Sequence, residues 1–405
     1  MVYSSIDIGS DTIKIVVGKV IDDNINIVAS TKTRSVGIKK GLIVDKEMAC
    51  KSIMLALDEM EKKVGFKIDK ALVNVPIYDV NVNVYNGECY TDGIITGNDI
   101  VNCFKGVVKM VDLDEEVVTV FPIDFIVDGE DKYLDPKGVN GYKLESRILV
   151  TTVPKNILYP YFEVLEKCHI EAIDLTIGPV ADYYQSHLHD EFKKVSGALV
   201  NIGEDKTEVA IFNKGLMVKG EVLPIEGRMI DYDIKYIYHF DRQTARNLKE
   251  HFAVASSQYA SNEEVYEYEG NDGETKIVNQ LEISQIVEAR LEEILKNVKK
   301  SLYNLTNREI SYIIITGGVS NLPGFNYLLE DVFGDKAYTV NMNTIGVRDN
   351  SYTTAVGMIK YYVDKLKIRD ISYDMYEDYN EKIENKKNLL RDGLIENIRD
   401  YMENN

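Results

Sequence analysis

One pattern occurs twice in this chain, nearly two hundred residues apart. Ile6-Asp7-Ile8-Gly9-Ser10-Asp11-Thr12-Ile13-Lys14-Ile15-Val16-Val17 is echoed by Val200-Asn201-Ile202-Gly203-Glu204-Asp205-Lys206-Thr207-Glu208-Val209-Ala210-Ile211. In both, an apolar strand runs into a glycine turn, a polar pair follows, and a second apolar strand leaves. The copies align with about one residue of slippage. Gly-turned hairpins are common, so either copy alone says little. Recurrence of the whole order makes a duplicated lobe the economical explanation. The length of 405 residues also exceeds what one hydrophobic core usually organises, so two or more packed lobes are expected.

The rest of the chain fits an α/β reading. Tyr3 to Ile8 and Ile13 to Val20 form the first hairpin around Gly9-Ser10-Asp11, and Ile25 to Ser30 is a further strand. Lys46 to Val64 has helical spacing, with Met48, Ile53, Leu55, Leu57 and Met60 on one side. Ala71 to Pro76 reads as a short buried strand. From about Asn81 to Val153 the texture changes: short alternating strands (Val82 to Tyr85, Val117 to Phe121, Ile148 to Val153) surround one helix, Gly97 to Met110. This is an inserted module. Helices follow at Ile157 to Cys168 and Pro179 to Leu188. A third glycine turn, Thr316-Gly317-Gly318-Val319, ends the apolar strand Tyr312 to Ile315, and a helix opens at Tyr352 to Gly357.

Composition narrows the function. A formal net charge of -19 argues against nucleic-acid binding, which needs excess Lys and Arg. Cys50, Cys89, Cys103 and Cys168 have no short paired spacing and read as reduced structural thiols, and the five histidines do not cluster with them as a zinc site would require. There is no signal peptide and no apolar run of membrane-spanning length, so a chain neither exported nor integral is expected.

The glycine turns carry the chemistry. A turn between buried strands presents backbone N–H groups, and glycine lets a phosphate come close to them. Two such nests facing each other across a cleft would clamp the phosphates of one nucleotide. Asp7 at a strand end can hold Mg²⁺ through water; its alternative is a turn aspartate bonded to its own loop. Lys14 is either a phosphate contact or a solvated strand lysine, and Asn201 either a site residue or a structural turn residue. Gly317 and Gly318 would let backbone pack against an adenine or ribose.

Asp7-Ile8-Gly9-Ser10, Val200-Asn201-Ile202-Gly203 and Thr316-Gly317-Gly318-Val319 resemble the first phosphate, second phosphate and adenosine motifs of the actin superfamily. Within it, Gly37 to Asp45, Ile286 to Ile294, Leu322-Pro323-Gly324 and Thr354-Ala355-Val356-Gly357 are similar to stretches of the FtsA family of bacterial cell-division proteins. The resemblance covers roughly residues 1 to 363. It implies a two-lobed actin-like fold, a duplicated ribonuclease-H-like α/β architecture with an inserted small α+β subdomain. Residues 1–81, completed by 154–195 and about 346–368, would form the first lobe (1A), and 82–153 the insert (1C). Residues 196–227 with 311–345 would form the second-lobe core (2A), 228–310 a subdomain (2B) receiving the C-terminal peptide of FtsZ, and 369–405 a linker and terminal helix.

The resemblance also implies ATP and Mg²⁺ as cofactors, self-association into filaments, and a place on the cytoplasmic face of the membrane at the division septum. The nucleotide residues it points to are Asp7, Gly9, Ser10, Asp11 and Lys14; Asn201, Gly203, Glu204, Lys206 and Thr207; Lys249; and Gly317, Gly318 and Val319. Asp7 and Asn201 are the candidates for any catalytic role. The family pattern is broken at Asn201, where Asp is usual, at Glu204 and Asp205, where glycines are usual, and at Arg246, where an acid is usual. Two like charges near 4 Å repel by about 1 kcal/mol in water and about 4 kcal/mol in a partly desolvated cleft, so Glu204 would oppose a phosphate unless Lys206 folds inward or Mg²⁺ offsets it. Weak nucleotide binding or slow hydrolysis follows. A pilus-machine protein of the PilM type and a sugar kinase share the superfold and are the alternatives; the kinase would need a carboxylate base, and none stands out.

In the tail, Leu390, Leu394, Ile398, Tyr401 and Met402 fall on one helical stripe, with Leu389 and Ile395 beside it. A peripheral membrane helix is the reading by resemblance, and a helix docked on protein is the alternative. Asp392, Glu396, Asp400 and Glu403 outnumber Arg391 and Arg399, whereas interfacial helices favour cations.

Overall fold

A computed structural model describes residues 1–377 except 23, 187–191, 270–272, 341, 343 and 345. The expected terminal helix, Leu389 to Met402, lies outside the described residues. The chain divides into two compact units. One comprises the described residues of Met1–Gln185, Thr344–Val347 and Thr354–Asn405, the other those of Ser186–Asn343 and Arg348–Thr353.

The first unit opens with β1 (Val2–Ile8), β2 (Thr12–Ile21) and β3 (Asn24–Arg34), then β4 (Ile38–Lys39), β5 (Leu42–Ile43), α1 (Lys46–Val64) and β6 (Lys70–Val75). The insert contains β7 (Asn81–Ile94), α2 (Gly97–Val108), β8 (Glu115–Val127), β9 (Asp131–Tyr133) and β10 (Asn140–Pro154). The chain returns through α3 (Lys155–Lys167), β11 (Glu171–Ile177) and α4 (Gly178–Gln185). The second unit contains β12 (Ser196–Ile202), β13 (Thr207–Asn213), β14 (Leu216–Leu223), α5 (Arg228–Tyr238), α6 (Arg242–His251), β15 (Val265–Glu269), β16 (Thr275–Asn279), α7 (Gln280–Leu305), β17 (Tyr312–Thr316), α8 (Phe325–Phe333) and β18 (Ala337–Thr339). Helix α9 (Thr353–Ile368) then adds to the first unit.

The duplication is explicit in the sheets. The first runs β3-β2-β1-β6-β11 and the second β14-β13-β12-β17-β18. In each, the first three strands are antiparallel neighbours and the last two join in parallel. The expected slippage is absent. Ile8 pairs with Ile13 and Asp7 with Lys14 in one hairpin, and Ile202 pairs with Thr207 and Asn201 with Glu208 in the other. Both loops therefore hold four residues, because an odd shift would turn every core side chain outward.

Local signals explain the helices. Asp45 caps α1 by accepting the Met48 N–H at 3.0 Å, and Gly65 ends it in the left-handed region. The buried stripe of α1 is Ala49, Ile53, Ala56, Leu57 and Met60, whereas Met48 and Leu55 are exposed. The expected stripe was thus partly misplaced: Leu55 sits about 200° around the helix from Ile53, on the opposite side. Helix α7 starts with a capping box between Asn279 and Glu282 and packs Ile283, Val287, Leu291, Ile294 and Val298 into the core of the second unit. Strand β17 is buried along its whole length, as its unbroken Tyr-Ile-Ile-Ile run requires between two parallel neighbours.

The insert is a four-stranded sheet ordered β7-β10-β8-β9, with α2 packed on it through Ile100, Cys103, Phe104 and Val107. Its strands are longer than the short segments expected, because register shifts at Arg147/Ile148 and Thr151/Thr152 interrupt the alternation without ending the pairing.

Candidate functional site

The first turn belongs to the first unit. Asp7 is a buried strand residue, and it does not bond its own loop: Lys14 Nζ donates to Asp7 Oδ2 at 2.9 Å across the hairpin. Lys14 is buried in turn and is not solvated. A Cβ at Gly9 would sit 2.7 Å from Thr12 O and 3.7 Å from Lys14 Nζ, so the ammonium lies beside the bare face of this glycine. Ser10 Oγ accepts the Gly41 N–H at 2.7 Å, and Asp11 O accepts the Ser35 N–H at 2.8 Å. The loop is thereby held by the Gly37–Asp45 stretch, itself a miniature hairpin turned at Lys40 (φ 51) and Gly41 (φ 79).

The second turn belongs to the second unit and is differently satisfied. The Gly203 N–H donates to Lys206 O at 2.9 Å, so this amide is not bare. The carbonyls of Gly203 and Glu204 accept the N–H groups of Gly227 and Arg228 at 2.9 and 3.0 Å, joining the turn to the start of α5. Glu204 is offset by cations from other elements: Arg242 Nη2 at 2.7 Å, Arg228 Nε at 3.5 Å and Lys249 Nζ at 3.6 Å. Lys206, whose folding inward was one of two ways to offset Glu204, has another carboxylate partner. From the turn just before β13 it pairs with Glu208, near the start of that strand. Asp205 pairs with Arg228, and Thr207 donates to Ile225 O at 2.8 Å. Lys249 Nζ also lies 2.6 Å from the fully buried Asp231. Burial pushes the Asp231 carboxyl up to about 6, against the pull of Lys249. Arg246, where an acid is usual, pairs with Glu250 at 2.8 Å one turn along α6.

The third turn meets the second within the same unit. Gly317 has φ 96, and a Cβ there would lie 2.4 Å from Ile202 O and 2.7 Å from Asn201 Oδ1. Asn201 also stands opposite Thr316 in the sheet. Gly318 has open space in place of a side chain, whereas Val319 is buried in the core. The structure therefore brings together Asn201, Gly203, Glu204, Lys249, Gly317 and Val319, and separately Asp7, Gly9, Ser10, Asp11 and Lys14. Arg228, Asp231 and Arg242 went unnoticed in the sequence; the one available signal was an acid and two arginines on the polar borders of amphipathic helices. Leu389, Leu390, Leu394, Ile395, Ile398, Tyr401 and Met402 lie outside the described residues. Among the described residues no helix is long and apolar enough to cross a membrane.

Comparisons with known proteins give the family. A family model described as "Cell division protein FtsA" matches residues 198–357, and one described as "SHS2 domain inserted in FTSA" matches residues 81–152. The chain is 32% identical to the cell division protein FtsA of Bacillus subtilis over 389 residues, 94% of this chain and 88% of that protein. It is 29% identical to FtsA of Staphylococcus epidermidis over 392 residues, 94% of this chain and 84% of that one. Among solved structures, a PilM-PilN type IV pilus biogenesis complex matches with a TM-score of 0.59 at 13% identity, covering 91% of this chain and 98% of that one. MreB5 of Spiroplasma citri bound to ADP matches with a TM-score of 0.57, also at 13% identity and covering 91% of this chain and 98% of that one. These two likenesses extend to the fold, which is actin-like. Sequence identity along nearly the whole chain is what decides the family, and the chain belongs to the FtsA family of cell-division proteins.

Proposed function

We propose that this protein binds the C-terminal peptide of FtsZ and tethers the division ring to the cytoplasmic membrane, using an actin-type site for ATP and Mg²⁺ and assembling with copies of itself. The observation that carries the reading is the 32% identity to a cell division protein FtsA across 94% of the chain. In this reading 1–81, 154–195 and about 346–368 form lobe 1A, 82–153 is 1C, 196–227 with 311–345 is 2A, and 228–310 is 2B, the FtsZ-peptide site. Residues 369–405 carry the membrane helix, with Leu389, Leu390, Leu394, Ile395, Ile398, Tyr401 and Met402 on its apolar side. The protein works on the cytoplasmic face of the membrane at the septum.

The first turn suits an anion. Lys14 sets a buried ammonium beside Gly9, and Asp7 would hold a hydrated Mg²⁺. ATP would rest on Asp7, Gly9, Ser10, Asp11 and Lys14, on Asn201, Gly203, Glu204, Lys206 and Thr207, on Lys249, and on Gly317, Gly318 and Val319. Bound ATP and Mg²⁺ would supply a polyphosphate whose charge this chain's turns recognise. Asn201 lacks the carboxylate that would orient water, and Glu204 is anionic, so binding with weak or absent hydrolysis is the consistent expectation.

The reading is tested with the purified full chain and a labelled FtsZ C-terminal peptide, a PilN-type peptide serving as control. Saturable binding of the FtsZ peptide alone is expected. Absence of that binding, or preference for the pilus peptide, would overturn it.

A further inference from the structure

The two glycine turns hold equivalent places in equivalent sheets, yet their second residues differ. In the first turn this is Ser10, uncharged and occupied with the Gly41 N–H. In the second it is Glu204, whose side chain is 11% exposed and has two guanidinium groups and one ammonium within 4 Å. These cations come from α5 and α6. Helix α5 is also fastened to the turn through the Gly227 and Arg228 N–H groups. Two guanidinium forks and an ammonium converging on one anion form the donor set that recognises a phosphate.

Two details show that Glu204 does not exhaust this donor set. Arg228 Nε and Arg242 Nε are both buried, and neither has a hydrogen-bond partner among the described residues. Buried polar atoms left open in this way are costly. The cluster is neutralised in charge but not saturated in hydrogen bonds, as expected of a site whose fitting ligand is larger than one carboxylate.

We propose that Glu204 is a resident anion at the second turn, an intramolecular substitute for phosphate, and that a nucleoside polyphosphate reaches this turn only by displacing Glu204 from Arg228, Arg242 and Lys249. The proposal rests on the nucleotide reading of the turns given above. It makes Glu204 a self-inhibiting contact: a ligand must first separate it from its cations and then tolerate its charge nearby. Removing that charge while keeping the side chain's shape frees Arg242 for the ligand and leaves Arg228 with Asp205 and Lys249 with Asp231 as their remaining carboxylate partners.

The test uses the full-length protein, titrated calorimetrically with Mg·ATP and with inorganic triphosphate. Wild type is compared with Glu204→Gln, and with Glu204→Ala as a second variant, each checked for folding by its thermal transition. Both ligands are expected to bind the variants about tenfold more tightly, a gain of about 1.4 kcal/mol. Equal or weaker binding by the folded variants, with wild-type binding measurable, would overturn the proposal and leave the nucleotide reading standing. No binding of ATP to wild type or variants would instead remove the nucleotide reading, and the proposal with it.

Discussion

Lys14 and Asp7 face each other across the first hairpin at 2.9 Å, with side-chain exposures of 10% and 8%. The strand register places them directly opposite. A buried pair of this kind adds little net stability, but removing one partner strands the other's charge. Lys14→Met is expected to destabilise the first unit by about 3–5 kcal/mol, and Asp7→Asn combined with it to restore much of the loss. Urea unfolding of the two single variants and the double variant gives the cycle. A neutral Lys14→Met would mean that the carboxylate has other support.

Gly317 and Gly318 look interchangeable in sequence and differ sharply in space. Gly317 has φ 96 and would drive a Cβ into Ile202 O at 2.4 Å, whereas a Cβ at Gly318 would meet nothing within 4 Å. Gly317→Ala is expected to cost about 2–4 kcal/mol, combining left-handed strain with overpacking against β12. Gly318→Ala should be neutral or stabilise by about 0.4–1 kcal/mol through the unfolded chain. Unfolding midpoints of the two variants measured side by side decide the matter, and equal losses would contradict this division of roles.

What was legible in the sequence follows from the range of each interaction. The duplicated hairpins could be read because strand, turn and strand are local, and α1 because Asp45 and Gly65 mark its ends within a few residues of its stripe. The neighbours of Glu204 could not. Arg228 and Arg242 come from different helices, and no spacing announces that they converge on one carboxylate. Lys206 is near Glu204 in sequence, yet it pairs with Glu208. Cys50 and Cys168 share no motif, yet their sulfurs lie 3.1 Å apart because Cys50 is on α1 and Cys168 ends α3, two helices packed together.

Glu116 on β8 is 6% exposed, with Lys155 Nζ 4.0 Å away. Burial pushes its carboxyl up to about 7 from the usual 4.5, partly opposed by Lys155. The folded state thus keeps this proton to a higher pH than the unfolded chain does. The stability this group contributes is full below about pH 4.5 and is lost as pH rises through about 7. Glu116→Gln stays neutral throughout, so its advantage over wild type should grow from pH 5 to pH 8, reaching on the order of 1–3 kcal/mol. Denaturation at both pH values measures it. A constant difference would show that Glu116 is ionised across the range.

Residues Ser372 to Tyr376, beyond α9, are bound back onto the starts of β1 and β6, two interior strands of the first sheet. Tyr3 Oη donates to Tyr373 O at 2.7 Å, the Met375 N–H donates to Val2 O at 3.2 Å, and Tyr376 Oη donates to Lys70 O at 3.0 Å. Met375 is 2% exposed, and its sulfur accepts the Ser4 N–H at 3.4 Å. The Tyr376 ring lies 4.8 Å from that of Phe66. This segment is part of the folded unit and fixes where the following chain departs from the body. Met375→Ala is expected to cost about 2–5 kcal/mol, as for other buried methionines. A chain ended after Glu377 should unfold at the temperature of the full-length protein, whereas one ended after Ile371 should unfold several degrees lower. Thermal unfolding of the two truncations separates a built-in strap from a loosely attached tail: matched transitions would assign these contacts no share in the stability of the first unit.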